Sequence, residues 1–322
     1  MLDGFGRSID YLRISVTDRC NLRCRYCMPE GGVEWLPHDQ ILRFEDILRL
    51  SRIFAHLGVR RVRLTGGEPL VRRGLPELVA GLRAIPGIQE VALTTNGILL
   101  SQQLPALLEA GLTGVNLSLD TLNEDTFRRI TRREGVGRAL GALDACLAAG
   151  VPVKVNCVPI APEEELLELA ALARDKPIPV RFIELMPIGL GKELHGRSEG
   201  ELRALLEAAY GPLSPYSGRL GSGPSRYWTL PGFQGQIGFI SALSHQFCHQ
   251  CNRVRLTATG FLKTCLQYDR GVWLRPLLSG SDGELEAAIG AAILQKPAAH
   301  QFAQAQVQVP GAEGHMMSQI GG

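Results

Sequence analysis

From residue 11 to residue 186, short β-branched runs alternate with stretches of helical period. The runs are Tyr11–Thr17, Arg60–Thr65, Glu90–Thr95, Gly114–Asp120, Pro152–Val158 and Val180–Met186. Between them, apolar positions recur with helical spacing over Phe44–Leu57, Leu75–Ala84, Gln103–Ala110, Arg138–Ala149 and Pro162–Arg174. Gly58, Gly111 and Gly150 close three of these stretches, where a left-handed cap is expected to end a helix. Strand–helix units in series predict parallel strands with right-handed crossovers. Six units are too few for an eightfold barrel, so the expected fold is α/β, a partial (βα)6 barrel.

Beyond about residue 190 the texture changes. Residues 211–235 are rich in Gly, Pro and Ser, and residues 226–266 read as short strands with a hairpin tip at Ala258–Gly260. A helix is predicted over Glu284–Leu294. From Pro297 the chain is Gln/Ala-rich with little period and reads as a tail rather than a packed element. The expected organisation is a barrel over 1–190, a β-containing region over 191–300 closing its open side, and a tail over 301–322.

Composition narrows the function. The 322 residues carry a net charge of +2, which argues against a broad grip on nucleic acid or an anionic membrane. No run approaches the roughly 18 apolar residues of a membrane span. The first residues lack the basic-then-apolar layout of a secretory signal, so a cytoplasmic, reducing location is expected. The eight cysteines are then metal ligands or reactive thiols rather than disulfides.

Cys20, Cys24 and Cys27 form C-x3-C-x2-C directly after the first predicted strand. Active residues of parallel α/β folds gather at the carboxyl ends of strands. Three thiolates can wrap an iron–sulfur cubane but cannot close it, leaving one iron open to a small molecule. Zinc would want a fourth ligand, and the nearest candidate, His38, is poorly spaced. Zinc and scattered buried cysteines are the competing readings. With an aromatic, Tyr26, before the last cysteine, the loop resembles that of the radical S-adenosylmethionine (SAM) enzymes. The resemblance implies a [4Fe-4S] cluster whose open iron chelates SAM, and reductive cleavage of SAM to a 5′-deoxyadenosyl radical. Thr65-Gly66-Gly67-Glu68-Pro69 is similar to the element of that superfamily that holds the SAM amino group. Its two glycines suggest close approach of a ligand to the backbone.

Cys248, Cys251 and Cys265 form a second trio, C-x2-C-x13-C. His245 and His249 lie nearby, so a Cys3His zinc ribbon is an alternative. Asn252-Arg253-Val254-Arg255 follows, and strand alternation puts Arg253 and Arg255 on one face, suited to phosphate oxygens. With the terminal Gly-Gly, this pattern resembles the molybdenum cofactor biosynthesis family of GTP 3′,8-cyclases over nearly the whole chain. That family implies a second [4Fe-4S] cluster with an iron open to guanine. By position, the resemblance assigns Arg13, Arg63, Thr94, Lys154, Arg253, Val254 and Arg255 to GTP. It assigns Tyr26, Gly67, Ser118 and Met186 to SAM, and a catalytic role to Gly321 and Gly322.

The implied reaction removes the ribose 3′ hydrogen of GTP and closes the sugar on guanine C8. The implied partners are an electron donor and a downstream cyclic pyranopterin monophosphate synthase, for a monomer or homodimer. A peptide-modifying radical enzyme and a zinc-holding scaffold are the rival readings. Arg13, Arg63 and Lys154 sit mid-strand among apolar neighbours, where a charge must face a lumen or a partner. Cys146 and Cys157 belong to neither trio and read as buried small hydrophobes. Residues 307–318 are less basic than the resemblance leads one to expect.

Overall fold

The computed structural model describes residues 1–218, 220–302 and 313–321. The predicted strands form as β1 (Tyr11–Ser15), β2 (Arg61–Thr65), β3 (Glu90–Thr95), β4 (Gly114–Ser118), β5 (Val153–Cys157) and β6 (Val180–Ile183). They pair in that order, all parallel. Most end before the β-branched runs do. The left-over residues, such as Asp120 and Glu184–Met186, turn out of the ladder and line a cavity.

The helices are α1 (Phe44–His56), α2 (Leu75–Arg83), α3 (Leu100–Glu109), α4 (Glu124–Thr131), α5 (Val136–Ala148), α6 (Glu163–Asp175), α7 (Glu199–Tyr210), α8 (Asp282–Leu294) and α9 (Met317–Ile320). Two that the periodicity reading did not identify, α4 and α7, begin at side-chain caps. Asn123 Oδ1 accepts the Thr126 amide, and Ser198 Oγ accepts the Glu201 amide.

The later strands are β7 (Ser214–Pro215), β8 (Arg226–Thr229), β9 (Ile237–Ile240), β10 (Arg253–Leu256), β11 (Phe261–Lys263) and β12 (Gly271–Trp273). They join the barrel sheet itself. β10 adds parallel to β1 at one edge and β9 adds parallel to β6 at the other. The sheet order is β12-β11-β10-β1-β2-β3-β4-β5-β6-β9-β8-β7, open at its ends. The six expected parallel strands are thus extended by one parallel strand at each edge, both from the later region. The link from Ile240 to Arg253 runs from one edge to the other, across the barrel's open side, and carries Cys248 and Cys251.

Strand parity separates the core from the lumen. Leu12 and Ile14, Val62 and Leu64, Val153 and Val155, and Val180 and Phe182 are buried in the main apolar core. The alternate positions, Tyr11 and Arg13, Arg63, Lys154 and Asn156, and Arg181, line the cavity. Each buried branched or aromatic side chain of the first set contributes roughly 1.5–3 kcal/mol, which offsets the cost of the polar set opposite.

The chain beyond Pro297 corrects the expectation of an unpacked tail. Phe302 and Ile320 are buried with Ile188 in a second small core. The helical pattern over four residues, Met317–Ile320, is too short for its period to be read in sequence. Residues 303–312 and Gly322 lie outside the described residues.

Gly66 and Gly67 line the cavity and also let two loops close on each other. A Cβ at Gly66 would lie 2.5 Å from the Thr17 carbonyl oxygen, and one at Gly67 would lie 2.3 Å from that of Arg19. Here the glycines admit the neighbouring loop's backbone. Gly66 also has φ +151°. Gly66→Ala is therefore expected to lower unfolding free energy by about 1–3 kcal/mol in a denaturant titration. An unchanged midpoint would contradict the close approach.

Candidate active site

A cavity of about 600 Å³ occupies the lumen. Cys20, Cys24 and Cys27 line it, together with Tyr26, Gly67, Ser118 and Met186. So do Arg13, Arg63, Thr94, Lys154, Arg253 and Arg255. Two groups that lie far apart in sequence therefore share one chamber.

The thiol end is built by the loop after β1. The Cys27 and Met28 amides both donate to the Cys24 carbonyl, at 2.9 and 3.1 Å, curling the loop. Burial, then Glu68, pushes the Cys20 thiol up to about 11; burial, then Cys20, pushes Cys27 up to about 12. Cys24 is raised as well, by burial and by Cys27. Such thiols lose their protons to solvent when they coordinate a metal cation. The Tyr26 hydroxyl donates to Asp120 Oδ2 at 2.8 Å, while Asp120 Oδ1 accepts the Val158 amide at 2.8 Å. Burial raises Asp120 to about 6. Glu68 also lines the cavity. It accepts from the Leu70 and Asn96 amides and from Thr95 Oγ1, at 3.1, 2.8 and 2.7 Å.

The opposite wall is cationic. Arg255, Arg13 and Arg63 are lateral neighbours across β10, β1 and β2. Arg253 pairs in register with Tyr11, whose hydroxyl accepts from Arg63 Nε. Arg13 is pushed well below its usual value by burial and by Arg255. Burial and Arg253 bring Arg255 down to about 10; burial, then Arg181 and Arg63, bring Lys154 down to about 8. Arg63 Nη1 and Thr94 Oγ1 are buried without a hydrogen-bond partner among the described residues. Half-buried cations held next to one another form a wall suited to an anion.

Val254 is placed differently. It is fully buried in the apolar core, between Arg253 and Arg255 in the strand alternation, so its side chain does not line the cavity. The second trio does not line it either. Cys251 lies behind the basic wall: burial raises its thiol, but Arg253 and Lys296 outweigh this and bring it to about 7. Cys251 and Cys265 in turn support the charge on Arg255.

The C-terminal segment reaches the same chamber. The Gly321 carbonyl accepts from Thr65 Oγ1 at 2.8 Å and from Arg13 and Arg255 at 3.2 Å each. Met317 lines the cavity.

Residues 14–175 match the family described as the radical SAM superfamily, and residues 178–302 match Molybdenum Cofactor Synthesis C. A GTP 3′,8-cyclase of Clostridium perfringens is 43% identical over 326 residues, covering 100% of both chains. One of Pelotomaculum thermopropionicum is 47% identical over 330 residues, again covering 100% of both.

The chain belongs to the GTP 3′,8-cyclase family of radical SAM enzymes.

Molybdenum cofactor biosynthesis protein 1 of Drosophila melanogaster is 42% identical over 93% of this chain and 54% of its own length. The architecture is shared more widely. The crystal structure of Streptococcus suis SuiB bound to S-adenosylmethionine superposes with a TM-score of 0.62 at 14% identity, over 95% of this chain and 76% of that one. Membership of the radical SAM superfamily implies a [4Fe-4S] cluster and SAM. The donor set fits a cluster better than a single ion. Three sulfurs on one zinc, with bonds of about 2.3 Å, would stand roughly 4 Å apart. Among the described residues, only Asp269, Glu313 and His315 bring three such ligand atoms within 4.8 Å of one another. That group is not a free cation site, because the Lys263 ammonium pairs with Glu313. No helix among the described residues is long and apolar enough to cross a membrane.

Sequence reasoning missed Arg181, which is buried, lines the cavity and donates from Nε to Asn156 Oδ1 at 2.8 Å. Its signal was available: a mid-strand cation flanked by Val180 and Phe182, as Lys154 is flanked by valines. It also missed the Lys263–Glu313 pair, whose partners are fifty residues apart. Lys263 also donates to the Tyr268 carbonyl at 2.8 Å, and the Glu313 amide donates to the Gln267 carbonyl at 2.6 Å. This pair fastens the segment that leads to Gly321. Burial alone would raise Glu313, but Lys263 and the His315 amide hold it below the usual carboxylate range. The anchoring is therefore present above the ordinary carboxyl pKa and is lost as pH falls through the lowered one. Glu313→Gln removes the nearer carboxylate from a buried ammonium that retains Asp269 at 3.8 Å and the Tyr268 carbonyl, an effect of at most about 3–5 kcal/mol. It is expected to release residues 313–321 to faster hydrogen exchange at neutral pH. Unchanged exchange there would refute the anchoring role.

Proposed function

We propose that the chain converts GTP to (8S)-3′,8-cyclo-7,8-dihydroguanosine 5′-triphosphate, an early step of molybdenum cofactor biosynthesis, in the cytoplasm. The observation that carries this reading is a single chamber with three thiols at one end and a wall of largely half-buried cations at the other. Cys20, Cys24 and Cys27 would hold the SAM-binding [4Fe-4S] cluster, with Tyr26, Gly67, Ser118 and Met186 against SAM. Cys248, Cys251 and Cys265 would hold a second cluster behind Arg253 and Arg255. Bound together, cluster and SAM would supply one-electron hydrogen abstraction at the ribose 3′ carbon; closure on guanine C8 would then need one further electron, from the external donor, and a proton to give the dihydro product.

The chain's own residues supply position and charge. Arg13, Arg63, Lys154, Arg253 and Arg255 grip a triphosphate of roughly −4, and Arg181 joins them. Thr94 offers its unpartnered hydroxyl. Gly321 brings backbone rather than bulk to the substrate wall, and Val254 can contribute only backbone; the catalytic role expected of Gly322 falls outside the described residues. Loop residues Leu220–Pro224 line the lumen and keep water from the reacting centre. An electron donor and a downstream synthase that takes the product complete the reading.

Anaerobic protein given SAM, dithionite and GTP is expected to form the cyclised triphosphate and to contain about eight irons, four per cubane. Two zincs per chain and no product would overturn the reading. Cys24→Ala is expected to abolish deoxyadenosine formation. Arg255→Ala is expected to weaken GTP binding about tenfold or more, the scale of one charged hydrogen bond to phosphate. Unchanged affinity would remove Arg255 from the phosphate site.

GTP affinity is also expected to fall as pH rises above about 8, where Lys154 loses its proton in the empty site. Lys154→Arg should flatten that profile, and an identical profile in the variant would assign the titration elsewhere.

A further inference from the structure

A second groove, of about 580 Å³, lies on the outer side of the cysteine loop. Its apolar floor is Leu22, Ile98 and Leu99, and Arg132, Arg133 and Arg138 stand on its rim. Leu22 lines both this groove and the central cavity, and its amide donates to Cys20 Sγ at 3.4 Å. One residue therefore separates the groove from the first thiol.

The groove is firmly built. The Arg23 and Arg25 amides of the cysteine loop donate to the Thr131 and Ile130 carbonyls at the end of α4, at 2.8 and 2.9 Å. Arg132 Nη1 returns to the Arg23 and Met28 carbonyls at 2.9 and 3.0 Å. Glu134 also lines the groove and pairs with Arg128. Arg133 and Arg138 are exposed, and their side chains donate to the Arg132 and Glu134 carbonyls, contacts that leave their charge unneutralised. An apolar floor with an arginine rim has the anatomy of a protein-docking surface.

We propose that this groove docks a small acidic one-electron carrier protein that reduces the metal centre held by Cys20, Cys24 and Cys27. The inference rests on the proposed function, which needs one electron from outside for each SAM cleaved. In the transfer, the carrier's flavin or iron–sulfur group is oxidised by one electron and the metal centre is reduced by one. The carrier's carboxylates meet the arginine rim, and its redox edge meets the Leu22 floor. The groove lies on the far side of Leu22 from the GTP chamber, so the carrier and the substrate do not compete.

The test uses full-length, cluster-loaded protein prepared anaerobically and titrated calorimetrically with an acidic flavodoxin. Saturable binding is expected, weakening steeply between low and high salt, because the screening length is about 10 Å at 0.1 M. Arg133→Glu with Arg138→Glu is expected to weaken flavodoxin binding on the order of tenfold or more. The pair Arg133→Gln and Arg138→Gln should show a smaller loss in the same direction. In both double variants GTP affinity and dithionite-driven SAM cleavage should match the unaltered protein, which also shows that they fold, while flavodoxin-driven cleavage falls with the affinity. No flavodoxin binding to the unaltered protein, undiminished binding by the variants, or a saturable inorganic phosphate site lost in the variants would each overturn the proposal. Failure of the unaltered protein to cleave SAM even with dithionite would instead sink the functional reading beneath it.

Discussion

The structure depends on holding like charges next to one another inside a protein. Arg13, Arg63, Lys154, Arg181 and Arg255 are drawn into one lumen, and burial and mutual repulsion both work against them. The wall has some internal support, from Arg63 on the Tyr11 hydroxyl, Arg181 on Asn156, and Arg13 and Arg255 on the Gly321 carbonyl. It persists because each strand's other face is fully apolar and packed under helices, so turning a cation outward would bury it worse and expose a valine or leucine as well. Strand parity thus converts ordinary hydrophobic burial into an electrostatic field aimed at the cavity.

That parity explains what was legible beforehand. A cation or amide between two branched residues, as at Lys154 in Val153-Lys154-Val155, states which side of the sheet is wet. The cysteine spacings were legible too, since a short loop must bring its own thiols together. What could not be read was anything set by distant pairing. The joining of β9 and β10 to opposite edges, the buried meeting of Lys263 with Glu313, and the seating of α9 have no local signature. The glycines of the Gly66-Gly67 turn border the cavity and also admit the backbone of Thr17 and Arg19, which no local pattern announces. A glycine marks that something comes close without saying what.

The C-terminal segment shows how a chain with few basic residues near its end can still occupy a basic chamber. Its grip comes from Ile320 among Ile188 and Phe302, from the Glu313 carboxylate, and from one carbonyl oxygen shared by Thr65, Arg13 and Arg255. A backbone oxygen is a weak, uncharged acceptor. A phosphate oxygen would bind the same guanidiniums more tightly, because charge-assisted hydrogen bonds are roughly twice as strong as neutral ones.

The position of β1 has a consequence for biogenesis. It pairs with β2 on one side but on the other waits for β10, more than two hundred residues further along the chain. At translation speeds of about 5–20 residues per second, that flank stays bare for tens of seconds after β1 leaves the ribosome. During that interval the first cysteine loop already hangs from a strand with one neighbour, while Arg253 and Arg255 do not yet exist. Iron delivery to the loop can therefore precede completion of the nucleotide pocket, and the nascent chain needs a guard for its unpaired edge until synthesis nears its end.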